Sequence, residues 1–203
     1  GRRTLLFDGD LGLANVDIQL GLMPDRDLGS VLGGKISMRQ AITKFPEGGF
    51  DILAGRSGSG NLAALPATRL QRLVQELSKL SDNYDHVIMD LGAGVDRTVQ
   101  GLASTARMCI LVITEDPTSL TDAYAFIKVT RATSPDMEIS VVVNAAETIL
   151  KGEKAFETLK KACVNFLRFE PTLGGVIRQD KHVREAIRKQ IPLLTRSPGC
   201  EAA

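Results

Sequence analysis

A chain of 203 residues is long enough to bury the core of one α/β domain. Hydrophobic residues make up 43% and charged residues 24%, with a formal net charge of +1, so the balance carries neither a nucleic-acid footprint nor an acidic tail. No apolar run approaches the roughly 18 residues of a membrane span, and no secretory signal precedes the first strand.

The elements follow in order. Thr4 to Phe7 reads as a short buried strand that starts almost at the first residue. That residue is Gly1 rather than Met, so an upstream portion is expected. Leu28 to Ile42 reads as a broken helical segment, Asp51 to Ala54 as a strand, and "GRSGSGN", Gly55 to Asn61, as a loop. Pro66 opens a helix, since its absent N–H is not needed in a first turn. Leu70, Leu73, Val74, Leu77 and Leu80 then form one apolar stripe. His86 to Met89 is a strand stopping at Asp90, and Met108 to Ile113 a wholly apolar strand. A helix from about Ser119 follows the proline turn after Glu115 and Asp116. Ile139 to Val143 is an apolar strand ending at Asn144. Lys151 to Leu167 is helical, with Phe156, Leu159, Cys163 and Phe166 at near-helical spacing. Leu173 to Ile177 is a last strand and Lys181 to Lys189 a last helix, stopped by Pro192.

Continuous apolar strands separated by helices indicate an α/β, doubly wound, mainly parallel sheet with helices on both faces. Ligands bind such sheets at the carboxyl ends of the strands. Those ends here carry Asp8 with Asp10, Asp90, Asn144, and Glu115 with Asp116. Their expected convergence on one edge is the strongest functional signal in the bare residues. The three cysteines, Cys109, Cys163 and Cys200, share no metal-like spacing, and their odd number fits a reducing, cytoplasmic compartment. Neither His86 nor His182 has a motif partner, which argues against a zinc site or a Ser-His-Asp triad.

If the first strand stays extended, Asp8 and Asp10 point the same way. Two carboxylates in one crevice repel unless a cation or proton joins them. Magnesium suits such a place because it takes oxygen ligands and keeps several waters. Aspartates also end strands because they favour turns and cap helices. That reading covers any one of these residues better than it covers the set.

Two phosphate chemistries compete. The haloacid-dehalogenase-type phosphatases begin with an apolar strand and D-x-D, which would make Asp8 a nucleophile and Asp10 a general acid. They usually carry Thr or Val where Gly12 stands, and they need a late acidic pair where "MDLGAG" offers one Asp. The alternative is a nucleotide-binding switch.

"DGDLGLANVDIQLGL" closely resembles the switch segment of the MinD/ParA-type, deviant Walker A ATPase family. It looks most like the flagellar-number regulators, the FlhG/FleN/YlxH group. "HVIMDLGAGV" resembles that family's Walker B strand, "EDPTSLTDAYAFIKV" a stretch of the flagellar branch, and "SVVVNAAET" the strand ending in the adenine-contacting Asn. "LGGVIRQDKHVREAIRKQIPLL" resembles the late strand, loop and helix near the base. The five segments come in the family's order and cover nearly the whole chain.

The resemblance implies ATP and Mg2+ as cofactors. It implies that Asp10 positions the attacking water and that Asp8 and Asp90 hold magnesium through its waters. Asn144 would hydrogen-bond adenine, with Arg178 and Asp180 in the loop that passes the base; the family often has Pro at the position of Arg178. Asn15 would face the partner subunit of a nucleotide sandwich dimer, or serve simply as a turn residue.

The family's phosphate loop, K-G-G-x-G-K-[ST], has no match in this chain. "SVLGGKIS", Ser30 to Ser37, lacks the spacing and follows the switch, and "GRSGSGN" has no lysine. The resemblance therefore implies one truncated ATPase domain over 1–203, whose phosphate loop, with a strand and a helix, lies upstream. Without that strand, neighbouring strands should show unpaired edges and an apolar face. The amphipathic membrane-targeting helix of many members has no counterpart in "GCEAA", so no membrane attachment is expected of these residues.

The implied activity is slow hydrolysis of Mg-ATP by an ATP-bound homodimer that limits flagellar number or placement. Implied partners are a flagellar signal-recognition-type GTPase, flagellar switch proteins or a transcription regulator, with no specific nucleic-acid binding. Two rival readings are a nucleotide-independent interaction scaffold of the same fold, and a chromosome or plasmid partition or cell-division-site ATPase.

Overall fold

The computed structural model describes residues 1–10, 13–55 and 65–203. The loop expected at Gly55 to Asn61 lies outside the described residues from position 56 onward. In chain order the elements are β1 Thr4–Asp8, α1 Val16–Gln19, α2 Leu28–Leu32, a 3-10 turn Met38–Ala41, β2 Ile42–Phe45 and β3 Phe50–Leu53. Then come α3 Ala67–Ser81, β4 His86–Asp90, α4 Arg97–Ala103, β5 Met108–Ile113 and α5 Pro117–Thr133. The last are β6 Glu138–Ala146, α6 Ile149–Leu167, β7 Thr172–Arg178, α7 Lys181–Lys189 and α8 Leu193–Arg196. They divide into two compact units. The first is Gly1–Ala93, Arg97–Leu102 and Arg188–Pro192; the second is Gly94–Asp96, Ala103–Ile187 and Leu193–Ala203.

The first unit holds a four-stranded sheet in the order β2-β3-β1-β4. β1 runs parallel to β3 and β4, while β2 pairs antiparallel with β3. Side chains alternate across a strand, so Leu5 and Phe7 of β1 join one apolar cluster and Leu6 packs against another with Ile52. The stripe on α3 does what its spacing predicts: Leu70, Leu73, Leu77 and Leu80 are buried and Val74 packs partly beside them. Pro66 stands at the N-cap position of that helix. The broken helical segment resolves into α2, capped by Asp27 accepting from the Ser30 amide at 2.7 Å, and the 3-10 turn, closed by a Ser37–Gln40 capping box. β2 was not anticipated; Ile42 reads locally as the end of a helix. Its four residues become a strand because β3 supplies backbone partners and because Phe45 stacks edge-on against Phe50, ring centroids 5.3 Å apart. The short α4 also escapes a periodicity reading.

The second unit holds a parallel sheet in the order β5-β6-β7. α5 starts on Pro117, and α6 is capped by Thr148 accepting from the Lys151 amide at 3.1 Å. Both helices pack on one face, where Ile127, Phe156, Leu159 and Cys163 meet Ile113, Ile139, Val141 and Val143. Phe166, expected on that stripe, is 76% exposed. β5 also departs from a strand covered on both faces. Cys109, Leu111 and Ile113 pack inward, but Met108, Ile110 and Val112 on the opposite face are 53%, 59% and 58% exposed. Among the described residues, β4 and β5 are each the last strand of their sheet and so have one unpaired edge. No helix among the described residues is long and apolar enough to cross a membrane.

Candidate functional site

β1 and β4 are in parallel register up to Asp8 and Asp90, and the Gly9 amide then donates to the Asp90 carbonyl at 2.8 Å. A side chain at Gly9 would collide with the Phe7 ring and the Leu91 methyl, since a Cβ there would lie 2.8 and 2.7 Å from them. The glycine between the two aspartates is thus required by space. The strand ends at Asp8, so the two carboxylates do not share a direction through strand alternation. Asp10 sits in the turn beyond and accepts from the Leu13 amide at 2.9 Å. Asp8 is only 1% exposed. Its Oδ2 accepts from the Val16 amide at 3.2 Å, while its Oδ1 is buried and has no hydrogen-bond partner among the described residues.

Burial raises the Asp8 carboxyl above its usual range, and the nearby charge of Asp90 adds to the rise. The backbone amides of Val16, Asp10 and Asn15 oppose it. Burial also raises Asp90, helped by the charge of Asp10. Asp8 and Asp90 thus end paired strands with Asp10 just beyond, and the charge of Asp90 acts on Asp8 as that of Asp10 acts on Asp90. An orphaned, buried carboxylate oxygen and mutual repulsion are what a hydrated, oxygen-seeking cation relieves.

Two glycines complete this wall and were not singled out in the sequence. A Cβ at Gly55 would lie 2.3 Å from the Ala14 Cβ and 3.2 Å from the Asp8 Cγ. One at Gly92 would lie 3.0 Å from the Asp10 Cγ and Oδ2. The only available signal for Gly92 was its place two residues after the strand-ending Asp90.

Asn144, Arg178 and Asp180 belong to the second unit. β6 bulges after Val143, Ala145 takes a left-handed φ of 54°, and the Asn144 side-chain Oδ1 accepts from the Ala145 amide at 2.9 Å. Asn144 is thus turned out of the ladder and exposed, just before Ala146 pairs with Arg178. Arg178 donates to Glu201 at 2.7 Å. Asp180 accepts from the His182 amide at 2.8 Å, from the Glu201 amide at 2.9 Å, and faces His182 Nδ1 at 2.7 Å. The His182 amide foremost, with the His182 ring and the Cys200 thiol, holds the Asp180 carboxyl down at about 2. Sequence spacing gave no hint that His182 and Cys200 meet there.

No protein-family model matches the chain. It is 36% identical over 203 residues to the antiactivator FleN of Pseudomonas aeruginosa, covering 100% of this chain and 72% of that protein. It is 30% identical over 192 residues to the flagellum site-determining protein YlxH of Helicobacter pylori, covering 94% of this chain and 64% of that protein. In structure it is similar to the septum site-determining protein MinD of Pyrococcus horikoshii, solved with Mg-ADP, at a TM-score of 0.81 and 23% identity, covering 100% of this chain and 79% of that one. The α/β, mainly parallel architecture is thus that of the MinD-type P-loop fold. The chain belongs to the MinD/ParA-type ATPase family, in the branch of FleN and YlxH.

Proposed function

We propose that the intact protein binds Mg-ATP, dimerises around it, hydrolyses it slowly and regulates flagellar number or placement from the cytoplasm. The observation that carries this reading is the pairing of Asp8 with Asp90 at the ends of β1 and β4, with Asp8 Oδ1 buried and without a hydrogen-bond partner among the described residues. Asp10 orients the attacking water. Asp8 and Asp90 hold a hydrated magnesium, which when bound supplies charge neutralisation at the terminal phosphates. Asn144 meets the adenine with an amide that donates and accepts, and Arg178 and Asp180 shape the loop at the base. Residues 1–203 then form one ATPase domain. Its phosphate loop comes from upstream, as the open edges of β4 and β5 and the bare face of Ile110 and Val112 support.

The flagellar role rests on the names of FleN and YlxH, which match over most of this chain. A flagellar GTPase, a switch protein or a transcription regulator is the proposed class of partner. The decisive test is calorimetric titration of Mg-ATP into this chain and into the protein extended upstream, with Asp10→Ala in parallel. Saturable binding by the extended protein, with turnover lost in Asp10→Ala, is the expected result. Partner binding that ignores both nucleotide and Asp10→Ala would mean a scaffold instead.

A further inference from the structure

Beyond the phosphate chemistry, the second unit gathers three different ligand types at one point. Asp180 follows β7, His182 is the second residue of α7, and Cys200 comes from the turns after α8. One ligand atom from each lies within 4.8 Å of the other two, and all three residues are half-buried. The tail that brings Cys200 is itself folded. The Cys200 amide donates to the Ser197 carbonyl at 3.1 Å, and the Ala203 amide donates back to the Cys200 carbonyl at 3.1 Å. The Glu201 amide donates to Asp180 Oδ2 at 2.9 Å and the Glu201 carboxylate pairs with Arg178 at 2.7 Å, so the tail is fastened at the residue after the cysteine.

We propose that Asp180, His182 and Cys200 bind a thiophilic divalent cation, zinc foremost, which locks the 197–201 tail to the loop after β7. Carboxylate, imidazole and thiolate are the three side chains zinc takes, and three protein ligands leave its fourth position to water. In a tetrahedral site with metal bonds of about 2.0–2.3 Å, ligand atoms stand roughly 3.3–3.8 Å apart. The present spacing is within one side-chain adjustment of that. The cluster is now joined by protons, the Cys200 thiol and the His182 ring both bonding to Asp180. Metal entry replaces them. The Cys200 S–H bond breaks and its proton passes to solvent, the His182 Nδ1 proton also leaves to solvent with the neutral ring carrying its proton on Nε2, and Sγ, Nδ1 and an Asp180 oxygen displace waters from the incoming ion with no change of oxidation state. The soft thiolate and the imidazole disfavour magnesium in this place, so it is distinct in chemistry from the strand-end carboxylates Asp8, Asp10 and Asp90.

The test is titration of cobalt(II) into the chain under a non-thiol reductant, reading the thiolate-to-cobalt charge-transfer absorption. One equivalent should saturate the band, zinc should displace it, and magnesium should not. Cys200→Ser and His182→Gln should each weaken zinc binding by roughly a hundredfold or more, with Cys200→Ser abolishing the band and Cys109→Ser keeping it. Absence of the band in the parent chain, or its survival in Cys200→Ser, would overturn the site. Far-ultraviolet dichroism checks that both variants fold; if one does not, the other supplies the reading, because both residues are half-buried and outside the apolar core.

Discussion

Asp8 and Asp90 are register partners at the end of β1 and β4, and the amide after Asp8 donates to the carbonyl of Asp90 at 2.8 Å. The backbone thus fixes two carboxylates side by side, and both have a raised pKa. Between the unfolded value near 3.8 and the raised folded value, the folded chain holds more protons than the unfolded one. Stability therefore falls as pH rises through that window. Above it, millimolar magnesium should raise the melting temperature of the parent chain, and the gain should shrink toward pH 4. Asp8→Asn should be more stable than the parent without magnesium at neutral pH and should not respond to it. Thermal melts at several pH values, with and without magnesium, check both statements.

Gly92→Ala tests whether Asp10 needs its exact seat. The new methyl would stand 3.0 Å from the Asp10 carboxyl, so one of the two must move. ATP turnover of the upstream-extended protein should fall on the order of ten- to a hundredfold, with ATP affinity nearly unchanged. Steady-state hydrolysis alongside calorimetric binding separates the two quantities.

Gly152 lies within α6, where Ala is ordinarily favoured by about 1 kcal/mol. Here the sign should reverse. A Cβ would lie 2.4 Å from Val176 Cγ1 of β7 and 3.2 Å from the Ala146 Cβ of β6. Gly152→Ala should therefore destabilise the chain by about 1–3 kcal/mol, measurable by urea unfolding.

The bare face of β5 should behave differently in two settings. Ile110 is 59% exposed here. Ile110→Lys should reduce self-association of this chain, read by light scattering, because it charges an exposed apolar strip beside an unpaired edge. In the upstream-extended protein the same change should destabilise instead, because the face becomes buried. An unchanged or improved melting temperature there would sink the idea that upstream residues cover β5.

Most elements and the branch of the family are legible in the residues alone. The apolar runs and helical stripes are local patterns, and the switch segment is read from consecutive residues. The same patterns put Asp8, Asp10 and Asp90 at strand ends. Tertiary structure alone decided what those ends do. Gly9 follows the last paired residue of β1 with Phe7 and Leu91 close to where a Cβ would stand, Asp10 accepts from the Leu13 amide beyond it, and Asp8 is buried. β2 exists because β3 offers it partners, and the outer face of β5 is bare because α5 and α6 pack on the other side. Cys200 reaches Asp180 and His182 through the fold of the tail, not through spacing. Local propensity sees neighbours in sequence; a burial, a carboxylate's charge state and a ligand cluster depend on which distant residues arrive.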